Sequence, residues 1–299
     1  MISSEQLADL YQKACEVEIQ AFKPGNVSIY AEGHDMTVAD FRVSAQVSAA
    51  PICNSDYSLG EKIYYAVKAT KNAVNCNTNL GIVLLCAPLL QAVAKKTPDM
   101  TLRDALSKEL AATTVDDADW VFKAITLASP GGLGGSDQQD VKNKASVTLF
   151  EAMKMASHKD RIALQYITNY QDIFDFSVNL YYNSKSRWGD QIWPAVATYV
   201  GLLSRFPDSH IERKFGSQYS ELVNARMAML NEELSTTDCP ELIMPLLYRI
   251  DHELKSKGVN PGTTADMTVA TVLTAFLEDL IGNLNSPVNL QKEFSQNNN

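Results

Sequence analysis

Residues 82–90 form an unbroken apolar run that contains Pro88. A helix that is apolar on every side offers no face to water and has to be enclosed by other parts of the same chain. The run is far short of the ~18 residues that would suggest a membrane span, so it reads as a buried helix that the rest of the fold surrounds. The surrounding segments repeat their apolar residues at helical spacing, and no period-two stretch of useful length occurs. Helices are expected over 7–20, where Ser3-x-x-Gln6 forms a capping box, and over 40–50, 59–72, 101–112, 116–128, 145–157, 162–182, 190–206, 219–234, 240–257 and 267–281. Thr101-x-x-Asp104 opens one of these, an acidic cap opens 116–128, Pro240 suits a first helical position and Gly258 a helix exit. The expectation is an all-α fold of about ten to twelve helices at the usual mean length of about 11 residues. A single domain spans 1–285, with a frayed, disordered tail over 286–299 that ends Gln-Asn-Asn-Asn.

With 299 residues, 45% of them hydrophobic, a sizeable core is available. The formal charge of −9 lacks the basic surplus that nucleic acid or an anionic membrane surface requires. An anionic ligand therefore needs local cations or a metal. The five cysteines, Cys15, Cys53, Cys76, Cys86 and Cys239, are odd in number and contain no C-x-x-C pair, which fits reduced, cytoplasmic thiols rather than zinc or disulfides. The start, Met1-Ile2-Ser3-Ser4-Glu5, lacks the basic and apolar regions of a secretory signal.

Four polar loops stand out against this helical background. Lys23-Pro24-Gly25-Asn26 is a turn whose Lys23 suits a phosphate and whose Gly25 and Asn26 expose backbone N–H groups; Gly33-His34-Asp35-Met36 follows, with His34 as a possible proton carrier and Asp35 as a metal ligand. Asn77-Thr78-Asn79-Leu80-Gly81 sits at the mouth of the apolar helix, where buried amides must find partners; either a helix cap or a polar ligand supplies them. Gly131, Gly132, Gly134 and Gly135 crowd a third loop that is either a linker or a cradle of N–H groups, but has neither P-loop nor dinucleotide-fingerprint form. In the fourth, Asn260-Pro261-Gly262-Thr263-Thr264-Ala265-Asp266 leads into an apolar helix. Its Thr263 or Thr264 can cap that helix, and Asp266, read as part of the first turn, is either an ordinary N-terminal acid or the holder of a cation that bridges to phosphate.

Four such loops in this order resemble the triphosphoribosyl-dephospho-CoA synthase family. Lys23-Pro24-Gly25 with Gly33-His34-Asp35-Met36 is similar to the family's first motif, Asn77-Thr78-Asn79-Leu80-Gly81 to its second, and Asn260-Pro261-Gly262-Thr263-Thr264-Ala265-Asp266 to its last. The third loop lacks the Arg-Gly-Glu-Ala core usual there, and Asn26-Val27-Ser28 replaces a Val-Asp pair. Both departures resemble a branch from archaea and one-carbon-metabolising bacteria. The resemblance implies an enzyme that moves the triphosphoribosyl group of ATP onto the 2′-hydroxyl of dephospho-CoA and releases adenine. It also implies Asp35 and Asp266 organising Mg²⁺ and triphosphate, aided by Lys23 and the amides of Gly131, Gly132 and Gly262. Asp140 and Asp160 are second candidates for metal or base, and Asn77, Thr78 and Asn79 would orient ribose or adenine. Two alternatives stand beside this: an ATP-dependent transferase of methanopterin-type cofactor synthesis, and a non-catalytic nucleotide-binding helical module. The oligomeric state is open, a homo-oligomer included.

Overall fold

The computed structural model describes residues 2–31, 36–129 and 143–284. Within them the chain forms α1 (Ser4–Gln20), α2 (Val38–Ile52), α3 (Leu59–Val74), α4 (Leu80–Lys95), α5 (Leu102–Ala111), α6 (Val115–Ala128), α7 (Leu149–Ala156), α8 (Arg161–Ile167), α9 (Val178–Trp188), α10 (Ile192–Arg205), α11 (Ser209–Phe215), α12 (Ser220–Thr236), α13 (Met244–Ser256) and α14 (Gly262–Leu284). No strand occurs among the described residues, where Ser28 and Ala31 make an isolated bridge. The all-α expectation holds, although fourteen helices exceed the ten to twelve expected.

Local chemistry explains most boundaries. Ser3, Thr37, Ser58, Thr114 and Thr148 each close a capping box with an acid or amide three residues on, which satisfies two otherwise orphaned donors apiece. The cap of α6 is therefore Thr114, working with Asp117, rather than the acid at 116. The expected helix over 162–182 is instead broken: α8 ends at Ile167, Asn169 and Tyr170 take positive φ of 53° and 55°, and a π-helical turn over Asp172–Ser177 leads into α9. The cause lies in α4. Pro88 has no N–H to give the carbonyl of Leu84, and its ring crowds that turn. Tyr166 donates its hydroxyl to the Leu84 carbonyl at 2.7 Å and Tyr170 donates to that of Leu85 at 3.0 Å. Tyr166, within α8, and Tyr170, in the break after it, thus both bond the helix that proline disturbs.

α4 and α14 are the inner helices. α4 buries thirteen of its sixteen residues, as its all-round apolar sequence requires, and packs against α3, α5 and α14. α14 packs against α1, α4, α9 and α10. Its length and mean hydropathy of 1.3 would let it cross a membrane on composition alone, yet these helices enclose its first four turns. Its buried threonines are reconciled with that setting by donating back along the helix, Thr268 to the Thr264 carbonyl, Thr271 to Met267 and Thr274 to Ala270, each within 2.8 Å.

Candidate active site at the head of α14

The first and last polar loops are in direct contact. Gly25 has a φ of +87° and gives its N–H to Asp251 Oδ1 at 2.8 Å. A Cβ there would lie 2.9 Å from Pro261 Cδ and 3.0 Å from the Val259 carbonyl oxygen, so only glycine lets the two loops approach. Asn26 donates its amide to Asn260 Oδ1 at 2.7 Å, and Tyr199 donates its hydroxyl to the Pro24 carbonyl. Lys23 is fully buried. Its ammonium bonds the carbonyls of Glu18 and Val27, each at 2.7 Å, and pairs with Glu18 Oε1 at 3.0 Å. Burial pushes the Lys23 ammonium below its ordinary range and the Glu18 carboxyl above its own, each opposed by the partner's charge. All three ammonium donors being occupied inside the protein, Lys23 orders the loop rather than projecting toward a ligand.

The second loop reaches the same place from the other side. Gly81, in the first turn of α4, lies so close to Asp266 that a Cβ at Gly81 would fall inside the Asp266 carboxylate. The polar residues before it are paired within the protein: Asn77 Oδ1 accepts from the Leu80 N–H at 3.2 Å, the Thr78 hydroxyl pairs with Ser44 Oγ at 2.5 Å, and Asn79 donates to Ser48 Oγ at 3.3 Å. Asn77 is thus a helix cap, the plainer of the two readings.

α14 begins at Gly262, five residues before the expected start, which places Asp266 in its second turn and Thr263 and Thr264 inside the helix rather than at its cap. The capping group comes from elsewhere in the chain. Asp208 Oδ2 accepts from both the N–H and the hydroxyl of Thr264, each at 2.7 Å, while its Oδ1 accepts from the N–H groups of His210 and Ile211 at the start of α11. One carboxylate thus caps two helices. The Gly262 N–H is taken by the Asn260 carbonyl. Beside it stands the His210 ring, with Cγ and Nδ1 3.5 Å from where a Gly262 Cβ would be. Burial pushes His210 below the ordinary imidazole range, with Arg213 and Lys214 acting in the same direction and Asp208 against them.

Asp266 differs from all of these. Its carboxyl is largely buried and no described residue gives it a hydrogen bond. Burial pushes it well above the usual carboxylate range, and the negative charges of Glu18, Asp208 and Asp160 push it further, while Arg213 pulls it down. Among the described residues no cluster of three or more His, Cys, Asp or Glu forms a metal cage. Mg²⁺ does not need one, because it takes one or two carboxylates and completes its shell with water and substrate phosphates; the Asp266 carboxyl, which no described residue hydrogen-bonds, fits that donor set.

The other predicted residues divide clearly. Asp160 caps α8 through Ala163 and pairs with Arg213 at 2.6 Å, which makes it part of the scaffold beside Asp266. Asp35, Asp140, Gly131, Gly132 and Gly134 lie outside the described residues. Asp208 and His210 were missed, and the available signal was small: Pro207-Asp208-Ser209 has the form of a helix start, but the seven-residue α11 is too short to show a period. Next to this site, α1, α2 and the head of α4 enclose a cavity of about 420 Å³ whose lining includes Glu18 and Asn79.

Comparisons with known proteins bear on the fold and on the family. No curated protein matches the chain significantly in sequence. A protein from Archaeoglobus fulgidus, whose crystal structure carries the provisional name triphosphoribosyl-dephospho-CoA synthase, superposes with a TM-score of 0.60 at 22% identity, covering 81% of this chain and 98% of its own; this likeness bears on the fold. The family model for ATP:dephospho-CoA triphosphoribosyl transferase matches residues 4–284, nearly the whole chain, and so the protein belongs to that transferase family.

Proposed function

We propose that the enzyme transfers the triphosphoribosyl group of ATP to the 2′-hydroxyl of dephospho-CoA and releases adenine. The observation that carries this reading is the Asp266 carboxyl, at the meeting point of three polar loops and without a hydrogen bond from any described residue, in a chain that matches the family along its length. In the reaction the C1′–N9 bond of ATP breaks and its electron pair leaves with adenine. The acceptor O2′ forms a bond to C1′, and the hydroxyl proton passes to a base and ends on adenine. The transition state has ribosyl oxocarbenium character, so a nearby anion stabilises it.

Asp266, together with Asp35, would hold Mg²⁺, which when bound neutralises charge on the triphosphate. The rest is positioning by this chain. Lys23 and Glu18 fix the first loop so that Gly25 and Asn26 meet Pro261 and Asn260. Asp208 fixes the head of α14 and hence the direction of Asp266. Asn79 lines the adjoining cavity, where its carboxamide can hold a polar part of the substrate.

The test is incubation with ATP and Mg²⁺, with and without dephospho-CoA, followed by chromatographic separation of adenine, ADP and AMP. Adenine that forms only with dephospho-CoA and disappears in Asp266→Ala supports the reading. ADP or AMP instead of adenine would replace it with phosphoryl or adenylyl transfer.

A further inference from the structure

We infer that the cavity between α1, α2 and the head of α4 is the subsite for the pantetheine arm of the acceptor, so that the enzyme recognises a coenzyme A-type thread as well as a 2′-hydroxyl. The inference rests on the acceptor named above, but its geometry is separate from the reacting centre. At about 420 Å³ the space is within the range of small-molecule sites and much larger than a purine base alone would fill.

The lining indicates what kind of group belongs there. Tyr11, Phe41, Ala45 and Ile82 supply apolar walls, while Gln12, Gln46 and Asn79 bring three carboxamides to the same space. Most of the charge is already spent: Arg42 is held by Glu16 through two bonds of 2.7 and 2.9 Å, and Glu18 is paired with Lys23, which leaves Lys13, over the Phe276 ring, as the remaining lining cation. A triphosphate would find a single lysine here, too little positive charge for its several negative ones. An uncharged, flexible chain of methylenes interrupted by two amides finds apolar walls for the former and carboxamide partners for the latter, which is the chemistry of pantetheine.

Position supports the same occupant. Asn79 lines the cavity and stands two residues before Gly81, whose backbone touches Asp266. Glu18, also in the lining, is the strongest charged influence on Asp266 after burial itself. The cavity therefore opens beside the reacting centre, and a thread attached to the acceptor ribose through its diphosphate can lie in it. Binding energy gathered along such a remote part of a substrate is a general means of holding the reacting end in place.

The test uses two variants that narrow the cavity, Ala45→Phe from its wall and Gln46→Trp from its exposed rim, where a larger side chain leaves the core untouched. Calorimetry with dephospho-CoA and, separately, with ATP and Mg²⁺ is the readout, with 4′-phosphopantetheine as competitor. The expected result is at least a tenfold loss of dephospho-CoA affinity in Gln46→Trp, unchanged ATP affinity, and 4′-phosphopantetheine displacing dephospho-CoA but not ATP. Unchanged dephospho-CoA affinity in the folded variants, or a loss of ATP affinity in its place, overturns the assignment and in the second case gives the cavity to the donor nucleotide. If wild type shows the expected binding pattern yet releases no adenine, the proposed reaction fails and the cavity assignment stands. If wild type uses ADP, which lacks the thread, as well as it uses dephospho-CoA, the cavity assignment fails and the reaction stands.

Discussion

Two aspartates meet the first two turns of α14, and the protein treats them in opposite ways. Asp208 accepts four hydrogen bonds, from the N–H groups of His210, Ile211 and Thr264 and from the Thr264 hydroxyl. Asp266 accepts none from any described residue and faces three other acids. Burial raises both carboxyls above their usual range, but at Asp208 the donors pull back against burial, while at Asp266 the neighbouring carboxylates add to it. The lesson is that the depth of a carboxyl does not mark it as functional. What distinguishes Asp266 is that the fold brings it largely inside and no described residue uses its acceptor capacity.

The largest expected effect tests the open member of this pair. Asp266→Asn should lower adenine release by on the order of a hundredfold to ten-thousandfold, because it removes a charge placed at the reacting centre. Its melting temperature should stay level or rise, since the substitution also removes repulsion from Glu18, Asp208 and Asp160. An inactive variant that was also strongly destabilised would make Asp266 a structural residue like its neighbour.

Much of this arrangement was legible in the sequence, and what was missed shares one cause. The Lys23-Pro24-Gly25-Asn26 and Asn260-Pro261-Gly262 turns were visible because turn chemistry is local, and the capping box at Ser3 and the N-cap at Thr101 were visible for the same reason. The true head of α14 was hidden because its cap is 56 residues away at Asp208. The break at Tyr170 was hidden because the tyrosine bonds a carbonyl 85 residues earlier, three residues before a proline in another helix. The 162–182 pattern kept a helical period because both pieces face the same core. Asp266 was named from its motif, but the property that sets it apart from Asp208, having no donor, belongs to the assembled structure.

The closed member predicts a change in stability. Asp208→Ala leaves donors at two helix starts without an acceptor, and should destabilise the protein by about 3 kcal/mol in urea unfolding. Where the variant is still folded, its loss of activity should be smaller than that of Asp266→Asn. A variant of unchanged stability would remove the contrast between the two aspartates.

A smaller effect probes the contact that seats Asp266. Gly81→Ala places a methyl group where the Asp266 carboxylate lies, flanked by Ile162 Cδ1 at 2.9 Å, so either the acid or α4 must shift. Overpacking of this kind costs about 1 to 3 kcal/mol. In an Asp266→Ala background the carboxylate is gone and the same substitution should cost less, so a double-mutant cycle should show coupling between the two positions. Additive effects would mean that the resistance at Gly81 comes from Ile162 instead.

The smallest expected effect concerns His210, which lies on the Asp208 side of the head of α14 and carries the pH dependence of that side. Burial, together with Arg213 and Lys214, holds its imidazole below the ordinary value of about 6.5, with Asp208 opposing them. Between the folded value and about 6.5 the unfolded chain binds the proton and the folded chain does not, so the unfolded state gains as pH falls through that window. Stability should therefore be fully present above the ordinary imidazole range and decline as pH drops from about 7.5 to about 5.5. In His210→Asn, urea unfolding over the same interval should show a shallower decline, the remainder coming from other groups. An unchanged slope would mean that Asp208 offsets burial at His210, and a steeper one that Asp208 holds the imidazolium, so that the corner of α11 and α14 contains an ion pair in place of a neutral ring.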